Sequence, residues 1–316
     1  MLYNEVPVLL LTFNRPDITK ILIDKLRLIK PQYIFIAQDG PRTPEEYKII
    51  TQVKECFNKI DRNCDIQTLF RDQNLGCYRA VTEWISRFFK QVDFWIILED
   101  DCIPNQSFFE LCAEIHNQRN NLPSNIGIIS GSNFQTQSKT WDLALLSEHT
   151  PLLWWRATRK EKWKIFKQHK KIKSDFISGK LTIREKWWLT KKAMKYYMLA
   201  GYWDNDWYLS CYFNKLLTVV PAKNHISNLW FVGIHNARPW AYHWIKSFNI
   251  DYSWGIWDIS ISKSYNNTML YFMEKMYIYG VLSKILRKVW LFALMKKIVL
   301  QTSRIFYSRK LKNYDA

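Results

Sequence analysis

The chain has 316 residues, 48% of them hydrophobic, and a formal net charge of +18. That is enough for one large α/β domain with an appendage or for two modest domains, and it excludes a disordered chain except at the very end. The charge is local: residues 156–195 carry a net +12 and residues 270–316 a net +8, which leaves about −2 on the remainder. Basic surface is therefore offered by two segments, not by the body of the protein.

Residues 6–13 (Val-Pro-Val-Leu-Leu-Leu-Thr-Phe) form a continuous apolar run, the pattern of a parallel strand buried on both faces. Asn14-Arg15-Pro16-Asp17 interrupts it, and Ile18, Ile21, Leu22, Leu26 and Ile29 follow at helical spacing. Tyr33 to Ala37 reads as a second buried strand, stopped by Asp39-Gly40-Pro41. Thr43-Pro44-Glu45-Glu46 has the form of a capping box with proline at the first helical position. Tyr47, Ile50, Val53 and Phe57 give that helix one apolar face.

A third strand is expected over Ile66–Phe70, then a turn at Asn74-Leu75-Gly76 and a helix marked by Ala80, Val81, Trp84, Ile85 and Phe88. Phe94–Leu98 is a fourth strand running into Glu99-Asp100-Asp101. Ser107–Asn117 reads as a helix and Ile126–Ile129 as a fifth strand. Strand and helix thus alternate over residues 6–130, which calls for a parallel sheet with right-handed crossovers and helices on both faces. Ligands of such sheets bind at the carboxyl edge of the strands. Asn14, Arg15, Asp39, Arg71, Asp100 and Asp101 all fall at or just after a strand end.

The second half is rich in tryptophan and less regular. Residues 156–195 read as basic helix, Trp203–Val220 as a helix leading into a short strand, and residues 269–312 as basic helices.

Six cysteines (Cys56, Cys64, Cys77, Cys102, Cys112, Cys211) form no C-x-x-C pair and no zinc-finger spacing, so reduced thiols and no structural zinc are expected. The start of the chain lacks the basic and apolar regions of a secretory signal. No apolar run reaches the roughly 20 residues of a spanning helix. No helix-turn-helix, zinc-finger or RNA-binding signature accompanies the high net charge, and nucleic acid is not expected as a partner.

Chemistry concentrates at Leu98-Glu99-Asp100-Asp101. Three acids after an apolar strand need compensation, because an isolated buried carboxylate is costly. A hard divalent cation, Mn²⁺ or Mg²⁺, with a pyrophosphate as further ligand would supply it. A second centre is Trp203-Asp204-Asn205-Asp206-Trp207, which offers two carboxylates as bases or as helix caps.

These motifs carry a resemblance. Phe13-Asn14-Arg15-Pro16, Gln38-Asp39-Gly40-Pro41-Arg42, Leu69-Phe70-Arg71-Asp72-x-Asn74-Leu75-Gly76-Cys77, Ile97-Leu98-Glu99-Asp100-Asp101-Cys102-x-Pro104, Ile129-Ser130-Gly131-Ser132-Asn133-Phe134 and Trp203-Asp204-x-x-Trp207 occur in this order, ahead of Val220-Pro221 to Ser227-Asn228. Over about residues 6–240 the chain resembles GT-A-fold nucleotide-diphospho-sugar transferases. It is most similar to the bacterial hemolysin-activation-like group, with a weaker likeness to N-acetylglucosaminyltransferase I.

The resemblance implies an open Rossmann-like α/β sheet and an inverting transfer from a nucleoside diphosphate sugar, uridine-linked by preference, to a glycan or lipid-linked glycan. It implies that Thr12, Asn14, Arg15, Asp39, Arg71, Asn74, Gly76, Glu99 and Asp100 line the donor site. Asp101 would bind the metal, with His235 near it. Either Asp204 or Asp206 would serve as base, according to which flanking tryptophan is aligned. Trp154, Trp155 and Trp203 would face the acceptor, as would Arg156, which stands where the group carries a small residue.

The domain layout expected is a transferase domain over 1–268, divided near 135 into nucleotide-binding and acceptor-binding halves, and a basic amphipathic tail over 269–316. In that tail Leu282, Ile285, Leu286, Val289 and Ala293 share a face flanked by lysine and arginine, as in a helix lying on an anionic membrane surface. The location expected is cytoplasmic, peripheral at the membrane's inner face.

Overall fold

The structure, a computed structural model, describes residues 1–60, 63–132, 144–147, 155–180, 201–221 and 224–229. The tail over 269–316, together with Trp154 and His235, lies outside the described residues.

The first half builds one side of an open sheet. β1 (Val8–Thr12) lies between β2 (Tyr33–Gln38) and β4 (Phe94–Glu99), and β3 (Asp65–Phe70) flanks β2, all four strands parallel. The apolar runs explain this: Val8 to Leu11, Ile34 to Ala37 and Phe94 to Leu98 are all buried, so each strand must be covered on both faces. Alternation divides their side chains between two cores. Val8, Leu10, Ile36 and Ile96 pack with Leu22 and Leu26 of α1 (Pro16–Ile29), Val53 of α2 (Pro44–Phe57) and Phe108 of α4 (Gln106–Asn117). Leu9, Leu11, Phe35 and Ile97 pack on the opposite face with Trp84 and Ile85 of α3 (Cys77–Phe88). Trp95 anchors this second core, edge-on to Phe35, Phe88 and Phe89 at 5.1–5.5 Å between ring centroids, a favoured aromatic geometry.

At the start of α2, proline occupies the first turn, but Thr43 makes no side-chain capping bond. Glu46 reaches back instead to the Arg42 N–H at 2.8 Å. The expected capping box is therefore not formed, and only the reach-back of Glu46 remains, shifted a residue upstream.

The sheet continues through β8 (Trp155–Arg159), β6 (Ile126–Ser130), β9 (Leu217–Val220) and β7 (Leu145–Ser147), giving eight strands in the order β3-β2-β1-β4-β8-β6-β9-β7. The fold class is therefore α/β, with a large parallel-dominated sheet of Rossmann-like, GT-A-compatible form. β8 corrects one sequence expectation. Residues 156–159, expected as the start of the basic helix, belong to a central strand antiparallel to both β4 and β6. Ala157 is small enough to be fully covered, and Thr158 Oγ1 donates to the Gly127 carbonyl at 2.6 Å. The flanking arginines hide this pattern from a periodicity reading. Helix begins only at α5 (Lys160–Trp163) and resumes, after a 3₁₀ turn, in α6 (His169–Ile177). A two-stranded ribbon pairs β10 (Ile226–Asn228) with β5 (Cys102–Pro104) directly below the acidic cluster.

At the opposite end of β4, His116 packs on Phe94 at 4.8 Å between ring centroids. Burial, then the charges of Arg159, Arg119 and the N-terminus, lower its pKa from 6.5 to about 4. A depressed folded-state value means stability that is present above the unfolded value and lost as pH falls through 6.5 toward 4. In urea titrations over this range, wild type should lose stability relative to His116→Phe, whose ring can keep the Phe94 contact. A pH-independent difference between the two proteins would rule out His116 as the source.

Candidate functional site

The carboxyl edge of β1 and β4 gathers four of the expected residues. Arg15, at the cap of α1, donates Nε to Asp100 Oδ2 at 3.1 Å and Nη1 to Asp101 Oδ2 at 3.0 Å, and its Nη2 also pairs with Asp100. Asp100 and Asp101 are buried, while about a fifth of the Arg15 side chain remains exposed. The guanidinium thus supplies the charge compensation that buried carboxylates require. Burial pushes the Asp100 carboxyl up, opposed first by Arg15. Asp101 is held from below: its carbonyl accepts the Leu229 N–H at 2.7 Å, and its Oδ1 accepts the Cys102 thiol.

Glu99 ends β4 on the sheet face that carries Ile97. Burial, then Asp101, raise its pKa, while Arg156 opposes the rise. Arg156 is the register partner of Ile97, on β8. It is almost fully buried, with its guanidinium 4.2 Å from the centroid of the Trp203 ring. Trp203 and Asp204 open α7 (Trp203–Phe213). Asp204 is half-buried, its Oδ1 accepts the Asn205 N–H, and burial raises its pKa while Arg156 opposes that shift. Glu99, Arg156, Trp203 and Asp204 therefore form one charged cluster beside the Arg15–Asp100–Asp101 set. Trp155 contributes backbone opposite Leu98.

Asp206, the other base candidate, is placed quite differently. Its carboxylate accepts the Tyr78 hydroxyl at 2.7 Å, pairs with Lys173 and stands 3.5 Å from His169 Nε2. Tyr78 comes from α3, and His169 and Lys173 from α6. Asp206 thus ties three helices together, whereas the Asp204 carboxylate accepts only the neighbouring Asn205 N–H among the described residues. The sequence offers no signal for Tyr78, His169 or Lys173, which lie 33 to 128 residues away along the chain.

Asp39, Asn74 and Gly76 form a neighbouring turn. The Asp39 carboxylate accepts N–H groups from Gly40, Leu75 and Gly76, each at 3.1 Å. Asn74 Nδ2 donates to the Gly40 carbonyl at 2.8 Å. Gly76 caps α3 at φ +78°, where a side chain is strained. A Cβ on Gly40 would meet the Gln73 backbone at 2.5 Å. The two loops are thereby stapled at the sheet edge, and the thiol of Cys77 lies in the field of Glu99, Asp204, Asp39 and Asp100. Thr12 bonds the Ala37 carbonyl, Asn14 bonds Glu46, and Arg71 pairs with Glu83 over the Trp84 ring. These three residues brace the edge from beside the acidic cluster.

Carboxylate oxygens are the donors that a hard divalent cation takes. Among the described residues, no group of three or more His, Cys, Asp or Glu side chains is arranged to hold a metal ion. The set fits a cation bound by one or two carboxylates, with its other ligands from a diphosphate and water. It does not fit a cage of protein ligands. Such a cation would compete with Arg15 for Asp101 Oδ2.

No family model matches this sequence, and no curated protein does. Among solved structures, a mannosyltransferase from Pyrobaculum calidifontis in complex with GDP-Man and Mn²⁺ aligns at 10% identity and a TM-score of 0.35, over 52% of this chain and 46% of that one. A Bacillus anthracis protein assigned as a glucose-1-phosphate thymidylyltransferase, in complex with a sucrose, aligns at 13% identity and 0.30, over 56% and 79%. The 4-diphosphocytidyl-2C-methyl-D-erythritol synthase of Anaerococcus prevotii aligns at 8% and 0.29, over 57% and 81%. This chain spans less than half of the mannosyltransferase. Alignments this loose identify no activity.

Proposed function

We propose that this chain is an inverting, metal-dependent glycosyltransferase that moves a sugar from a nucleoside diphosphate donor, uridine-linked by preference, to a hydroxyl of a glycan or lipid-linked glycan. The observation that carries the reading is the convergence at one sheet edge of Arg15, Asp100 and Asp101 with Glu99, Arg156 and Asp204. The ordered motifs of the sequence support it. Asp101, backed by Asp100, would hold Mn²⁺ or Mg²⁺, which when bound would offset charge on the departing diphosphate.

Arg15, released from the carboxylates, presents a fork suited to phosphate oxygens. Asp204, raised in pKa by burial, accepts the proton of the attacking hydroxyl. The loops pinned by Asp39 and Asn74 shape the wall for the nucleoside. His235 would approach the metal, and Trp154 and Trp155 the acceptor. The basic tail over 269–316 would hold the enzyme on the anionic inner face of a membrane. Among the described residues, no helix is long and apolar enough to cross one.

Thermal-shift titration with UDP, GDP, CDP and ADP, each with Mn²⁺ or EDTA, tests this. One nucleotide should raise Tm only with metal, since a ligand that binds the folded state stabilises it by mass action. Asp101→Ala should abolish that rise. No shift with any nucleotide would remove the transferase reading.

A further inference from the structure

Among the described residues of the site, Arg156 is a buried cation that stacks on Trp203 yet makes no side-chain hydrogen bond from Nε or Nη1. Arg15 makes three side-chain bonds to acids. Arg156, in the central strand β8 and 1% exposed, leaves Nε and Nη1 without any hydrogen-bond acceptor. A guanidinium has five donors and is never deprotonated. Burying one unbonded costs stability, and replacing such a group by an apolar side chain is often neutral or favourable. Glu99 and Asp204 lie close enough to act on it electrostatically, but neither accepts a bond from it. The Trp203 ring fixes the plane of the fork from one side.

The location narrows what the fork reads. Arg15 and Asp101 mark where a diphosphate would sit. Arg156 is beside Asp204 instead, where the reacting sugar and hydroxyl meet if Asp204 is the base. We infer that Arg156 is the specificity residue for a negatively charged sugar, one bearing a carboxylate that accepts from its unbonded guanidinium N–H groups. The inference rests on the proposed transferase reading. The charge could be on the donor's sugar or on the acceptor's, and both sources share the same chemistry at the fork.

The test compares wild type, Arg156→Met and Arg156→Lys by thermal shift and calorimetry. The probes are UDP, UDP-glucose and UDP-glucuronate with Mn²⁺, and free glucose and glucuronate. Wild type should prefer the uronate over the neutral sugar by about ten-fold or more, the size of one or two charge-assisted bonds. A preference among the UDP-sugars assigns the charge to the donor, and one among the free sugars alone assigns it to the acceptor. In Arg156→Met the preference should vanish, while UDP itself binds as before and the unliganded Tm is unchanged or higher. Arg156→Lys, which keeps the charge without the fork, should retain part of the preference, and it serves as the variant if Arg156→Met fails to fold.

Equal affinity of wild type for neutral and acidic sugars would overturn the inference. So would an uronate preference that survives in Arg156→Met, or a loss of UDP binding as large as the loss of uronate binding. If no nucleotide binds wild type at all, the transferase reading fails on its own, and the free-sugar arms still decide the role of Arg156.

Discussion

Asp204→Asn is expected to slow sugar transfer by about 10²–10⁴-fold, the usual contribution of a positioned general base. The substitution keeps the shape and the hydrogen bond from the Asn205 N–H, so nucleotide affinity should be unchanged and the loss should fall on kcat. Asp204 is the carboxylate whose environment suits the task. It sits at the start of α7, half-buried and facing Glu99 and Arg156, and burial shifts its pKa upward, toward the range in which a base is efficient at neutral pH. The measurement is steady-state transfer or donor hydrolysis with the nucleotide identified by thermal shift. If Asp204→Asn keeps its turnover, the base lies elsewhere.

How far the sequence revealed this arrangement depends on the type of contact. The strands β1, β2 and β4 were legible because each is covered on both faces and must be apolar throughout, and the acidic cluster was legible because polar residues immediately follow such a strand. β8 was not. Its central position is filled by Ala157 and Thr158, but its charged neighbours give it the look of the start of a basic helix. The pairing of Arg15 with Asp100 joins residues 85 apart, and nothing local announces it. The resemblance points to Asp204 through the bacterial group and to Asp206 through N-acetylglucosaminyltransferase I, because a single residue between them decides which tryptophan is matched. Only packing separates them. One carboxylate is consumed by three partners from two other helices, and the other is not. Arg156 is the converse case: the sequence marks it as unusual, while only its burial and missing acceptors give the anomaly a chemical direction.

Asp206→Ala should destabilise the folded protein by about 3–5 kcal/mol, the range for removing one member of a buried ion pair. Asp206 is 2% exposed and its partner Lys173 only partly so, and Tyr78 and His169 converge on the same carboxylate. Deletion removes the carboxylate that Lys173, Tyr78 and His169 share at the junction of α3, α6 and α7. Asp206→Asn should cost less, because it keeps an oxygen for the Tyr78 hydroxyl. Urea unfolding with an unchanged m-value would locate the effect in native-state stability. Activity measured well below the unfolding midpoint separates the two aspartates. Asp206→Asn should retain most turnover where Asp204→Asn does not, since the network holds α7 in place and Asp204 rides on its first turn. The reverse pattern, a stable Asp206→Asn without activity, would exchange the roles of the two residues and move the reacting hydroxyl toward Tyr78.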